Sequence, residues 1–307
     1  MKFFDLKVGF TCNNDCVHCV VTDKVGTEDL TTQEIKRIID DVPYDCVVCF
    51  TGGEATIRHD FLELIAYAKN TGHLTSLQTN GAQFAEFDFA VESSKYLNGV
   101  LIAIHSHLPE VHNSIVRTNG MHEKTLDGFR NILKLKIPCT TQTVISKLNM
   151  ETLPETYDFI QSIWPNIRMN MTFPHPNGNA LHNSEIVVPR FENIKHIMQK
   201  ILKKYASLVN TEAIPICYLF PYQDQVRNFD DNLILATDSP GIDPSNRNNE
   251  FFNKDGFTEK YSLCSLNDKR KGSKCIECVF NNRCVGVWKE YLDIHGNDFS
   301  EFHPITF

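Results

Sequence analysis

Apolar positions along roughly the first 175 residues switch repeatedly between two periods. Strand-like runs fall at residues 3–10, 46–50, 74–78, 100–104, 137–145 and 167–173. Between them lie helical spacings: Ile35, Ile38, Ile39 and Val42; then Phe61, Leu62, Ile65 and Ala68; then Leu126, Phe129, Ile132 and Leu133; then residues 152–163. Thr31-Thr-Gln-Glu34 reads as a capping box that opens the first of these helices. Residues 46–50 are wholly apolar, as a parallel strand buried on both faces would be. Repeated strand–helix units of this length predict parallel strands joined by right-handed crossovers. Six units are fewer than the eight of a closed barrel, so the expected architecture is α/β, a partial (β/α)6 TIM-like barrel.

The pattern changes after a loop at residues 174–180. Phe191, Ile194, Ile197, Ile201 and Leu202 make one face of a long amphipathic helix. Residues 227–256 are crowded with Asn, Asp, Pro and Gly and read as a long loop, functional or mobile. The segment from Cys264 to the end is cysteine-rich, with little apolar periodicity before residues 287–292. So short a segment buries little core alone, and a metal is its natural staple. Two units are therefore expected, residues 1–185 as the barrel and 186–307 as helix, loop and metal-stapled domain.

Composition narrows the classes. Of 307 residues, 42% are hydrophobic and 22% charged, which is ordinary for a globular chain. Thirty basic against thirty-eight acidic residues leave a net charge of −8, so nucleic acid is not an expected partner. Asp5 and Lys7 interrupt the apolar start, leaving no signal-peptide core, and no run is long enough to span a bilayer. A cytosolic protein is expected. Eleven cysteines in a reducing compartment then read as metal ligands or catalysts before disulfides.

The sharpest motif is Cys12-Asn-Asn-Asp-Cys16-Val-His-Cys19, directly after the first strand-like run. Three thiolates on one loop suit an Fe–S cluster, and three ligands leave one iron of a cubane open. Loops after barrel strands are also where active sites are built. This run resembles the defining motif of the radical S-adenosylmethionine (SAM) enzymes. Thr51-Gly-Gly-Glu-Ala-Thr56, after the second strand, is similar to the family's GGE motif. Paired glycines let backbone approach a ligand closely, and Glu54 offers an acceptor for an ammonium. The resemblance implies that Gly52, Gly53 and Glu54 hold the methionine amino group of SAM. It further implies that Ser106 and Arg117 meet the SAM carboxylate, a guanidinium being able to grip it bidentately, and that Asn80 lines the cofactor. The family usually carries an aromatic residue before the third cysteine; here it is His18.

A second run, Cys275-Ile-Glu-Cys278-Val-Phe-Asn-Asn-Arg-Cys284, resembles the C-terminal SPASM and twitch extensions of that family, which bind auxiliary [4Fe–4S] clusters. The cysteines remaining suffice for one such cluster. Cys275, Cys278 and Cys284 are the expected ligands, with Cys217 favoured over Cys264 as the fourth.

Plainer readings stand beside these. Either cysteine run is otherwise a zinc knuckle. Cys46, Cys49 and Cys139 are expected in the core, and Trp288 and Tyr291 as packing. Ser106, Asn80 and Arg117 are otherwise ordinary turn or surface contacts, and His105, His107, His112 and His175 surface or packed histidines near the site. The resemblance implies an enzyme that takes one electron from a flavodoxin or ferredoxin, cleaves SAM to a 5′-deoxyadenosyl radical and abstracts hydrogen from a substrate. A ribosomally made peptide is the first substrate class, and a small-molecule dehydrogenase or cofactor-biosynthesis reaction the second. A zinc-stapled binding module without turnover is the alternative of another class.

Overall fold

The structure, a computed structural model, describes residues 2–228, 241–242, 244, 252–253, 256–257, 268–296 and 299–306. Strand and helix alternate from the start: β1 (Lys2–Lys7), α1 (Thr32–Asp41), β2 (Cys46–Thr51), α2 (Phe61–Asn70), β3 (Leu74–Thr79), α3 (Phe87–Ser94) and β4 (Gly99–Ala103). Then follow α4 (Pro109–Val116), α5 (Met121–Lys134), β5 (Cys139–Val144), α6 (Leu153–Ile163) and β6 (Arg168–Thr172). Two short helices, α7 (Asn179–His182) and α8 (Ser184–Val187), lead into the long α9 (Phe191–Tyr205). The chain continues through β7 (Val209–Glu212), α10 (Ile216–Leu219) and the two-residue strands β8 (Arg227–Asn228) and β9 (Gly241–Ile242). Two antiparallel pairs close the order, β10 (Phe252–Asn253) with β11 (Gly256–Phe257) and β12 (Lys269–Arg270) with β13 (Val287–Trp288), before α11 (Lys289–His295).

The main sheet runs β8-β7-β6-β5-β4-β3-β2-β1-β9, and every pairing in it is parallel. From β1 to β8 strand order follows chain order, as successive right-handed crossovers require, whereas β9 returns to pair with β1 at the other edge. The seven strands β1 to β7 form a curled half-barrel, so the partial-barrel expectation holds and the sheet extends past the sixth strand. β7 escapes the sequence pattern because its four residues, Val-Asn-Thr-Glu, carry no apolar run.

Alternation along the strands separates two faces. Phe4, Leu6, Val48, Phe50, Leu77, Val100, Ile102, Met169, Met171 and Val209 join the core under the helices. The opposite, concave face carries Asp5, Lys7, Cys49, Ser76, Gln78, Gln142, Asn170 and Asn210. The capping box at α1 forms as read: Glu34 N donates to Thr31 Oγ1 at 3.2 Å, and Thr31 N to Glu34 Oε2 at 2.7 Å.

The last described residues are fastened to this core. Val287, Trp288, Tyr291, Leu292 and Phe302 belong to the same apolar cluster as α9. Tyr291 OH donates to Glu301 Oε1 at 2.6 Å and accepts from Phe191 N at 3.2 Å; Tyr218 OH donates to Glu301 O at 2.8 Å. Cys46 is buried in the apolar core as expected, Cys49 is buried too but on the concave face, where Gln78 Nε2 reaches its sulfur at 3.7 Å, and Tyr291 and Trp288 pack inside. Among the described residues no helix is long and apolar enough to cross a membrane. Most of the expected long loop at 227–256 lies outside the described residues, as does Cys264.

Candidate active site

The site is assembled by the loops leaving β1 to β4, held together before any cofactor is considered. Val8 N still reaches Thr51 O at 3.1 Å, and beyond it Gly53 N donates to Gly9 O and Glu54 N to Thr11 O, both at 2.9 Å. This ladder between loops explains the two glycines. A Cβ on Gly52, whose φ is +132°, would lie 2.2 Å from Gly9 O, and one on Gly53 2.2 Å from Thr11 O. Both obstacles are backbone and cannot swing away. Gly53→Ala is therefore expected to lower stability by about 1–3 kcal/mol and to push the two loops apart, read in denaturant titration and by a weaker SAM affinity.

Glu54 is 3% exposed and locks the loop from inside. Its Oε1 accepts from Thr56 N (3.1 Å), Thr56 Oγ1 (2.7 Å) and Thr79 Oγ1 (2.8 Å), and its Oε2 from Asn80 N (2.7 Å). Burial raises its pKa while these donors pull it down. Oε2, with one donor, is the oxygen that keeps a lone pair for a further partner. Asn80 also donates from Nδ2 to Asn13 Oδ1 at 2.7 Å, tying β3 to the cysteine loop.

That loop is clamped from three more sides. Asp29 accepts from Phe10 N at 2.9 Å and Thr11 Oγ1 at 3.1 Å. Asp15 N and Val17 N donate to Val116 O and Ile115 O at the end of α4, at 3.1 and 2.8 Å. Asn179 Nδ2 donates to Cys16 O at 2.9 Å, and Asn183 Nδ2 to Val17 O at 3.2 Å. Arg117, at the left-handed end of α4, donates to Asn183 Oδ1 (2.9 Å) and Asp15 Oδ2 (3.4 Å), so its guanidinium lies over the loop. Ser106 is fully buried, and its Oγ accepts from Leu108 N at 3.1 Å just ahead of α4. Asp29, Asn179 and Asn183 are illegible in the sequence, since lone polar residues outside a motif carry no spacing signal.

Cys12, Cys16 and Cys19 fall within electrostatic reach of one another. Burial, reinforced by that mutual repulsion and by Glu54, raises the Cys12 thiol to about 11, and Cys16 rises further through burial and its two neighbours. Bare thiolates are thus disfavoured here, and the positive charge of bound iron is what would offset them. Among the described residues no three His, Cys, Asp or Glu side chains are gathered tightly enough for a single metal ion. By the chemistry of the donor set, three thiols on one loop suit an Fe–S cluster, whose irons each take one thiolate.

A row of histidines backs this loop. His18 meets His105 edge-on at 4.7 Å, His105 stacks on His112 at 5.7 Å, and His112 meets His122 at 5.5 Å. His105 and His112 each accept a backbone N–H at Nδ1, from Val144 and His105 respectively, which fixes the neutral tautomer with hydrogen on Nε2. Burial holds His18 down to about 4 and His112 to about 3. The unfolded chain titrates near the ordinary 6.5, so it binds protons that the folded protein refuses. Stability is then full above pH 6.5 and declines as pH falls toward the folded values. In metal-free protein the loss at pH 5 is expected to be about 2 kcal/mol for each such ring. Thermal unfolding at pH 7.5 and 5 checks this, and His18→Phe should remove its share of the acid decline. Of the other histidines near the site, His175 stacks on Trp288 at 3.9 Å, and His107 contacts Thr156 Oγ1 at 3.1 Å.

The second thiol group lies at the other end of the chain. Cys217 on α10 and Cys275, Cys278 and Cys284 line one cavity. Burial raises the Cys217 thiol to about 12, with the other three thiols adding to the rise. Four thiols around one cavity are again a donor set that fits a [4Fe–4S] cubane.

Comparison with known proteins agrees with this geometry. The family model of the radical SAM superfamily matches residues 6–160. The AdoMet-dependent heme synthase of Methanosarcina barkeri is 26% identical over 197 residues, 63% of this chain and 56% of that protein. The PqqA peptide cyclase of Rhodopseudomonas palustris is 26% identical over 195 residues, 62% and 51% of the two chains. The chain thus spans about half the length of these curated relatives. In fold it is similar to Streptococcus suis SuiB bound to S-adenosylmethionine, with a TM-score of 0.64 at 14% identity over 99% of this chain and 76% of that one. SuiB bound to precursor peptide SuiA gives 0.62 at 13% identity over 97% and 73%. A half-barrel whose first loop presents three thiols, sutured to a Gly-Gly-Glu turn and matched over half its length by the family model, makes the chain an enzyme of the radical SAM superfamily, which uses a [4Fe–4S] cluster and SAM.

Proposed function

We propose that this radical SAM enzyme modifies a ribosomally made peptide, with residues 1–185 and the added strand β7 as the SAM-cleaving half-barrel and the rest of 186–307 carrying one auxiliary cluster in a SPASM- or twitch-like segment. Cys12, Cys16 and Cys19 hold the first cluster; Cys217, Cys275, Cys278 and Cys284 hold the second. When bound and reduced by one electron from a flavodoxin or ferredoxin, the first cluster and SAM supply a 5′-deoxyadenosyl radical that takes a hydrogen atom from the substrate.

The protein's own residues bind, orient and shield. Gly52 and Gly53 let backbone approach the SAM amino group, and Glu54 Oε2 accepts from its ammonium. Arg117 turns from Asp15 and Asn183 toward the SAM carboxylate, with Ser106 donating its hydroxyl hydrogen beside it and Asn80 lining the turn. The neutral His18–His105–His112 row keeps charge out of the floor of the site.

The observation that carries the substrate class is the lining of the concave face. Asn210 Nδ2 donates to Asn170 Oδ1 at 2.7 Å and Gln142 Nε2 to Thr172 Oγ1 at 2.6 Å, while Asn210 Oδ1 and Gln142 Oε1 are buried without a partner. Beside the Glu212 carboxylate, to which Thr172 Oγ1 donates at 3.3 Å, this amide wall keeps spare acceptors that complement peptide N–H groups. The names of the relatives point the same way, a cyclase of the peptide PqqA and a SuiB complex with its precursor peptide. The heme synthase relative supports the second reading, a cofactor-biosynthesis reaction on a small molecule. Anaerobic incubation with candidate peptides, SAM and reductant should give a peptide product altered by loss of hydrogen in mass spectrometry. Turnover on a small molecule with all peptides untouched would overturn the peptide reading. A cytosolic setting, where thiols stay reduced, belongs to this proposal.

A further inference from the structure

The segment around the second thiol group departs from the charge of the whole chain. Residues 269–284 hold Lys269, Arg270, Lys271, Lys274 and Arg283 against Glu277 alone, so 5 − 1 = +4 within a chain of −8. Arg270, Lys271, Lys274 and Arg283 are exposed, while Lys269 is buried with its Nζ 3.3 Å from the centre of the Trp288 ring. Lys271 Nζ donates to Asn281 O at 2.6 Å, which pins its charge beside the loop, and Arg283 reaches Asp224 at 3.2 Å.

Amid these cations the fold exposes apolar side chains. Ile276, between Cys275 and Cys278, is 80% exposed, and Val279 is 45% exposed. An isolated exposed apolar residue needs no explanation, but two flanking a thiol, in a run whose exposed cations outnumber its one acid, Glu277, have the make-up of a recognition patch: an apolar centre and a charged rim. The thiols themselves are only half-buried, so whatever docks on the loop comes close to what they hold.

We infer that the loop of residues 269–284 is the docking surface for an acidic one-electron carrier protein, which exchanges its electron with the cluster held by Cys217, Cys275, Cys278 and Cys284. The inference rests on the auxiliary-cluster reading above. A one-electron exchange needs no atom transfer: the carrier is oxidised by one electron and the cluster reduced by one, or the reverse. Charge complementarity sets the rate of encounter, and the apolar tip fixes the contact.

The test uses the reconstituted enzyme and an acidic flavodoxin, reduced and mixed in a stopped-flow instrument at several salt concentrations. Lys271→Glu/Lys274→Glu is expected to slow reduction of the enzyme's clusters about tenfold at low salt and to flatten its salt dependence. Ile276→Ser should weaken flavodoxin binding in a titration, and dithionite should reduce all variants at the wild-type rate. Single Lys274→Glu, on an exposed side chain, guards against misfolding, and full iron content is confirmed in each variant. Unchanged flavodoxin rates and salt slope with both clusters present would overturn the inference and leave the auxiliary cluster standing. A wild-type protein with only about four irons would instead remove the auxiliary cluster and the inference with it. Retained flavodoxin rates with loss of peptide modification would assign the patch to the substrate and overturn the inference likewise.

Discussion

Replacing Cys12 with alanine is expected to remove about four irons per chain and to drop 5′-deoxyadenosine formation from SAM to background. The reason lies in the count of ligands. Three thiols on residues 12–19 are all that this loop offers, and a cubane that already leaves one iron open for SAM has no ligand to spare. Cys12 is also the most exposed of the three, so its loss disturbs packing least and the effect reads as lost ligation. Cys46→Ala is the matched control. That side chain is buried in the core of β2, so its loss should cost stability while leaving iron and SAM cleavage in place. Iron analysis and chromatography of the SAM products separate the two variants.

The second large effect concerns the other cluster. Cys217→Ala is expected to lower iron from about eight to about four per chain while the SAM-binding centre stays filled. Cys217 comes from α10, more than fifty residues before Cys275, so it closes the cavity from a different element than the other three thiols. Without it the cavity offers only three thiols. Cys264→Ala should keep all the iron. Full occupancy in Cys217→Ala, with loss in Cys264→Ala, would exchange the two assignments.

How far the sequence reached depends on how local each signal was. Most of the first six strands could be read because helices with clear periodicity flank their apolar runs, and the capping box at Thr31 and Glu34 forms as its spacing implies; the short helices α3 and α4 on either side of β4 carry too little periodicity to be read. β7 could not, because a four-residue strand with alternating Asn and Glu is made by its neighbour β6 rather than by its own pattern. The thiol runs and the Gly-Gly-Glu turn were legible because the chemistry demands those residues at fixed separations. The reason for the glycines was only half visible: positive φ at Gly52 is a local property, but the approach of Gly9 O and Thr11 O needs the fold. Asn179 and Asn183, more than 160 positions from the loop they hold, leave no trace in any window. His18 reads in sequence as a departure before Cys19; only packing reveals it as the first of four histidine rings in contact.

The most direct test is the electron paramagnetic resonance spectrum of the reduced, iron-loaded enzyme with and without SAM. Docking of the sulfonium compound on the vacant iron of the Cys12/Cys16/Cys19 cluster should shift the g-values of one signal and leave the auxiliary signal as it was. Spectra that superimpose, with SAM intact afterwards, would mean that no such corner exists and would contradict the catalytic account.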